Sequence, residues 1–268
     1  NNDDYYDWDG IDLNRNYSFQ WAYDDNGSSP DACSQTYRGT SPFSEPETQA
    51  IRDFIEEHDF SIVLNYHSYG NLLIHPLGYE PGLLPPEPDL SIFRSLGDEM
   101  TKYNNYLMGT GIETVGYTVN GEACDWMYGE KDIYAFTPEI GSWNDGFWPA
   151  SERILPLAEE NLYPNKFVAM AVGSAYSSEI VVNQDFYNQG QGYEFYLYVK
   201  NIGLQNSYGD VTIEIESPSD NDIWILPYLE SQSSTSESFN FFIPSNVTNG
   251  SIMEIKVHIS DESGFLFS

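Results

Sequence analysis

Between Ser44 and Val172 the apolar positions switch between helix-like and strand-like spacing, the pattern of a layered α/β architecture. Ile51, Phe54 and Ile55 recur at i, i+3 and i+4, one face of a helix. Just before them Ser44 stands three residues ahead of Glu47, a capping-box spacing, with Pro46 in the first turn. Phe60 to Tyr66 is a short apolar run of the buried-strand kind and ends at His67. A proline-rich loop from Pro81 to Pro88 precedes a second predicted helix, Leu90 to Asn104. Ile133 to Ile140 reads as another buried strand, ending near Glu139. A long helix is expected from Ala150 to about Val172, with Ile154, Leu157, Ala158 and Leu162 on one face and a kink or break at Pro164.

Beyond Ser174 the helical period disappears. Short alternating segments replace it at Tyr193 to Lys200, Asp210 to Glu216, Ser238 to Ile243 and Ile252 to Ile259, separated by turn signals such as Asn249-Gly250. Regular short strands predict an antiparallel β-sandwich over residues 176–268, following an α/β domain over residues 1–175.

Composition narrows the function classes. The 268 residues include 42 acidic against 10 Lys and Arg, a formal charge of −32 that repels phosphate backbones and argues against nucleic-acid binding. It suits a medium whose counterions screen self-repulsion. No stretch approaches the ~18 uninterrupted apolar residues of a membrane span. Cys33 and Cys124 match no metal spacing and can pair or stay apart. The acidic cluster Asp3, Asp4, Asp7 and Asp9 has the oxygen density of a calcium site but reads first as a solvated acidic loop. Both termini read as cuts.

In open α/β sheets ligands bind at the carboxyl ends of strands, and two predicted strands deliver a polar residue there, His67 and Glu139. A carboxylate ending a buried strand needs a partner or a metal nearby. A metal-ligating imidazole beside a free carboxylate is the minimal kit for metal-assisted hydrolysis. His67 alone also fits a structural histidine, whereas His58, His75 and His258 read as structural or surface residues.

The motifs sharpen this. Gly10-Ile11-Asp12-Leu13-Asn14-Arg15-Asn16, Thr36-Tyr37-Arg38-Gly39, Asn65-Tyr66-His67-Ser68-Tyr69-Gly70, Gly116-Tyr117 with Asp125-Trp126-Met127-Tyr128-Gly129, and Tyr134-Ala135-Phe136-Thr137-Pro138-Glu139 follow one another in order. The series resembles the C-terminal part of the catalytic domain of zinc metallocarboxypeptidases of the A, B and T type. That resemblance implies a partial mixed-sheet α/β/α fold and hydrolysis of C-terminal peptide bonds outside the cell. It further implies His67 as a Zn2+ ligand, Glu139 as general base, Asn14 and Arg15 as the clamp on the substrate's terminal carboxylate, and Tyr117 as a closing side chain. Cys124 falls at the family's specificity position, where a small uncharged thiol predicts neutral or apolar C-terminal residues.

One departure matters. The family's His-x-x-Glu zinc motif is absent, because His58, His67, His75 and His258 are followed at that offset by Ser61, Gly70, Gly78 and Asp261. The family's oxyanion arginine, which lies upstream of the Asn-Arg pair, is missing too. The expectation is therefore a fragment that binds zinc poorly and lacks activity. The alternatives are a peptidoglycan stem-peptide peptidase of the same fold, or a non-catalytic peptide-binding or adhesion protein. The sandwich resembles accessory modules of secreted bacterial hydrolases, with Tyr193, Tyr196 and Tyr208 either forming a binding face or packing its core.

Overall fold

The computed structural model describes residues 10–184, 186–217 and 219–267, so the acidic cluster at residues 3–9 lies outside the described residues. The chain divides into two compact units, Asn1–Asn165 and Lys166–Ser268.

The first unit is built on a four-stranded mixed sheet of β1 (Ile62–Leu64), β2 (Leu72–Ile74), β3 (Leu107–Gly109) and β4 (Tyr134–Glu139), in the order β1-β4-β2-β3. β1 and β4 are parallel, β2 and β4 antiparallel, and β2 and β3 parallel. Around the sheet run α1 (Pro46–Glu57), α2 (Asp89–Thr101), α3 (Gly111–Thr114) and α4 (Ala123–Lys131).

Because successive strand residues point to opposite faces, β4 serves two cores. Ala135 joins Ile55 of α1 and Trp126 and Met127 of α4 in one apolar cluster, which Tyr17 completes. Tyr134 and Phe136, one position to either side, turn their rings to Phe93 of α2, each at 5.2 Å. Asp89 opens α2 and accepts hydrogen bonds from Tyr128 at 2.8 Å and Tyr134 at 2.9 Å, which locks α2 to α4 and β4.

Several local expectations are corrected. The strands are shorter than the apolar runs that announce them. α1 has no capping box: Glu45 is its N-cap and makes no side-chain cap bond, while the Ser44 hydroxyl accepts from Asn16 Nδ2 at 2.9 Å. Its buried face is Thr48 and Ile55, and Ile51 and Phe54 are exposed. The long C-terminal helix is two, α5 (Ile154–Glu160) and α6 (Leu162–Ala171), preceded by a 3-10 turn at Ser151–Arg153. The break falls at Asn161, three residues ahead of Pro164. Pro164 lacks the N–H that would bond Glu160 and its ring crowds that carbonyl, so the helix ends there and restarts with proline in its first turn.

The second unit holds β5 (Tyr176–Val182), β6 (Gly192–Asn201), β7 (Val211–Glu216), β8 (Asn221–Leu226), β9 (Ser234–Phe242), β10 (Lys256–Ser260) and β11 (Leu266–Phe267). They form two antiparallel sheets, β11-β10-β7-β8 and β5-β6-β9. β6 and β7 alternate cleanly, burying Phe195, Leu197, Val199, Val211, Ile213 and Ile215. Tyr196 and Tyr208 are exposed, and Tyr193 packs its ring against Tyr187 and Phe241.

Candidate active site

Two strand ends form the centre of the site. Past the paired residues of β1 and β4, the chain makes an isolated parallel bridge between His67 and Glu139. The His67 amide donates to Pro138 O at 2.9 Å, and the Ile140 amide donates to His67 O at 3.0 Å. Backbone bonds thus fix both residues, and His67 Nδ1 comes to lie 3.6 Å from Glu139 Oε1.

The cationic part arrives from the 3-10 turn Leu13–Arg15, whose N-cap Asp12 accepts the Asn14 amide at 3.0 Å. Arg15 is only 8% exposed. Its Nε donates to Gly27 O at 2.9 Å and its Nη1 to Asn14 O at 3.0 Å, with Asp12 Oδ2 3.4 Å from Nη1. Those bonds hold the guanidinium plane in one orientation, as recognition of a planar carboxylate requires.

Asn14 is a structural link as well as a cleft residue. Its Oδ1 accepts the Ala123 amide at 3.0 Å, at the start of α4. Beside it the Tyr17 amide donates to Gly121 O at 2.9 Å. Gly121 has φ +68°, and a Cβ there would stand 2.8 Å from Arg15 O and 2.9 Å from Tyr17 O, so only glycine permits the approach.

Tyr117 follows α3, whose capping box pairs Thr110 with Glu113. The ring is 54% exposed. Burial of its inner part raises the hydroxyl's pKa, Arg15 lowers it, and Glu139 raises it again, which puts the phenol within electrostatic reach of both. A cleft of about 230 Å³ is lined by His67, Glu139, Asn14, Arg15 and Tyr117, together with Glu122, Thr137 and Phe147.

Comparison with known proteins gives this cleft its family. The zinc carboxypeptidase family matches residues 1–164. The chain belongs to the zinc carboxypeptidase family. Human mast cell carboxypeptidase A is 34% identical over 167 residues, which are 60% of this chain and 39% of that protein. Carboxypeptidase B of Astacus astacus is 35% identical over 175 residues, 63% of this chain and 57% of that protein. This zinc carboxypeptidase-family chain therefore spans between 39% and 57% of the length of these two relatives. Among solved structures, bovine thrombin-activatable fibrinolysis inhibitor in complex with a tick carboxypeptidase inhibitor superposes with a TM-score of 0.52 at 31% identity, covering 60% of this chain and 56% of that one. Carboxypeptidase A from Helicoverpa armigera superposes with a TM-score of 0.52 at 30% identity, covering 60% and 41% respectively.

By themselves the described residues do not complete the zinc site that the family name implies. A catalytic zinc takes three protein ligands. His67 is one imidazole, and among the described residues no group of three or more His, Cys, Asp or Glu side chains is placed to hold a metal.

The sequence assigns the specificity role to Cys124. It is the second residue of α4, 2% exposed, inside the apolar cluster, and its thiol donates to Ala135 O at 3.1 Å. It is not among the residues that line the cleft of about 230 Å³. No disulfide joins it to Cys33, which lies at the surface. His75 is a core residue, stacked on Phe93 at 5.5 Å, and burial lowers its pKa. His58 is exposed and bonds Phe54 O at 2.8 Å.

In this zinc carboxypeptidase-family chain the cleft residue that sequence reasoning missed is Glu122. It is 7% exposed and shares a side-chain hydrogen bond with Asp125. Both Asp125 oxygens accept the Gly78 amide, at 3.1 and 2.9 Å. Burial pushes the Glu122 carboxyl well up, its neighbour Asp125 adds to that, and Arg15 opposes it. Burial likewise pushes Asp125 up to about 7, against the Gly78 amide.

Proposed function

We propose that this chain supplies the substrate-anchoring and proton-handling side of a secreted metallocarboxypeptidase, which releases single residues from the C-termini of peptides. The observation that carries the reading is that His67 and Glu139, 3.6 Å apart at two adjacent strand ends, share one cleft with the buried, pre-oriented Arg15. On this reading Arg15, positioned by Asp12 and Gly27 and backed by Asn14, holds the substrate's terminal carboxylate through charge-assisted hydrogen bonds. Demanding a free carboxylate is what separates an exopeptidase from an endopeptidase. Glu139 takes a proton from the attacking water and returns it to the leaving amine. The half-exposed Tyr117 closes over the bound residue. His67 is assigned as one zinc ligand, and the other donors are assigned to polypeptide outside these 268 residues, so the chain by itself is expected to hold zinc weakly and to release no amino acid. Tight, stoichiometric zinc binding or robust turnover by this chain overturns that assignment.

The anchor is tested by binding. A dipeptide with a free C-terminal carboxylate is expected to bind the chain about tenfold or more tighter than its carboxamide, and Arg15→Ala is expected to erase the difference. Equal affinities for acid and amide would refute the anchor. For the second unit we infer that its two sheets stack as an accessory sandwich, supported by the 6.0 Å ring contact of Trp224 on β8 with Phe239 on β9.

A further inference from the structure

Glu122 is a buried carboxylate for which none of the roles above accounts. It is the N-cap of α4, where a polar side chain ordinarily bonds the free helix amides, yet it makes no such bond. Its carboxyl lies instead against Asp125 and the backbone of Gly78, and lines the cleft that Arg15 also lines. Among the described residues no Lys or Arg forms an ion pair with Glu122 or Asp125, since every ion pair of Arg15, Arg38, Arg52, Lys102, Lys131 and Arg153 goes elsewhere. Two adjacent carboxyls therefore stand together in the cleft wall with no ion-pair partner, and Arg15 and His67 are the basic side chains that act on Glu122 through space.

Its place relative to the anchor is fixed by backbone. The residue before it, Gly121, accepts the Tyr17 amide at 2.9 Å, and the residue after it, Ala123, donates to Asn14 Oδ1 at 3.0 Å. Arg15 and Glu122 therefore sit on two segments joined on both sides of each. Beside Glu122 the cleft is lined by Ile74, Val119 and Thr137. Ile74 and Val119 offer apolar surface suited to the methylene stem of a long cationic side chain.

We propose that Glu122 is the specificity-determining residue of this cleft and that it selects a substrate whose C-terminal residue is basic, Lys or Arg. This rests on the reading of Arg15 as the carboxylate anchor. A residue whose carboxylate sits at Arg15 sends its side chain out from the adjoining carbon, and a lysine or arginine stem then carries its cation to the acidic wall. The neutral preference inferred from Cys124 is replaced by a charge-matched one.

The test measures binding of hippuryl-L-arginine, hippuryl-L-phenylalanine and hippuryl-L-argininamide to the 268-residue chain at pH 8 by titration calorimetry. Hippuryl-arginine is expected to bind about tenfold or more tighter than hippuryl-phenylalanine. Glu122→Gln is expected to collapse that ratio through weaker binding of hippuryl-arginine. The charge-conserving Glu122→Asp is expected to retain an arginine preference, which tests the charge should Glu122→Gln not fold. Equal binding of the arginine and phenylalanine acids, an unchanged ratio in Glu122→Gln, or a folded Glu122→Asp without arginine preference each overturns the proposal. An arginine preference that depends on Glu122 but is shared by the amide upholds Glu122 and refutes the anchor. A preference for acid over amide without regard to side chain does the reverse, and no binding by any ligand overturns both.

Discussion

Asp125 holds a proton that it would lose in the unfolded chain. Burial keeps its carboxyl protonated to about pH 7, whereas an exposed aspartate ionises near ~4. Between those values the folded state binds more protons than the unfolded one, so the stabilisation from this group is complete below ~4 and is lost as pH rises through about 7. Unfolding free energies from urea denaturation at pH 5 and pH 8 are expected to decline with pH on the order of a few kcal/mol, and Asp125→Asn is expected to flatten the decline. An unchanged slope in Asp125→Asn would show that the pair is not the source. The same pair illustrates what a sequence conceals. His67 and Glu139 were legible because each ends an apolar run, a local pattern that survives without coordinates. Glu122 was not, because a carboxylate ahead of a helix reads as a solvated cap. Its burial comes from Gly78, Asp125 and the segment around Arg15, all distant in sequence. The burial of Cys124 was hidden for a related reason: a position in a motif does not state which way a helix turns its side chain.

Elements show the same division between local and distant causes. The two antiparallel sheets were foreseen from alternation, but β5 and β8 escaped because they leave Val181, Val182, Ile223 and Ile225 exposed and so lack a clean buried face. The break at Asn161 was announced by Pro164 and differs only in where the missing N–H takes effect. The start of α1 is the clearer failure, since a capping-box spacing is overruled by one buried side chain from another segment. Asn16 Nδ2 donates to Arg38 O at 2.9 Å, Ser41 O at 3.0 Å and Ser44 Oγ at 2.9 Å, while its Oδ1 accepts from Thr48 Oγ1 at 2.8 Å. Asn16→Ala strands these groups without partners, and chemical denaturation is expected to show a loss of about 2–4 kcal/mol. A loss below ~0.5 kcal/mol would mean that water takes over those bonds.

At the scale of the whole molecule the charge of −32 acts on everything above. Self-repulsion at that charge disfavours the compact state and is screened over roughly 10 Å at 0.1 M salt. Thermal midpoints are therefore expected to rise between about 0.01 M and 0.5 M sodium chloride, most steeply at the low end. A flat profile would show that the charges are already spaced or paired well enough to be neutral in effect. The connection between Asn14 and Ala123 carries a different consequence, one of time. These partners are 109 positions apart. Joining them closes a long loop, so the bond belongs among the high-contact-order events that complete folding rather than start it. During synthesis Asn14 has no such partner until the chain through Ala123 has left the ribosome, and this wall of the cleft is among the last parts of its unit to take shape.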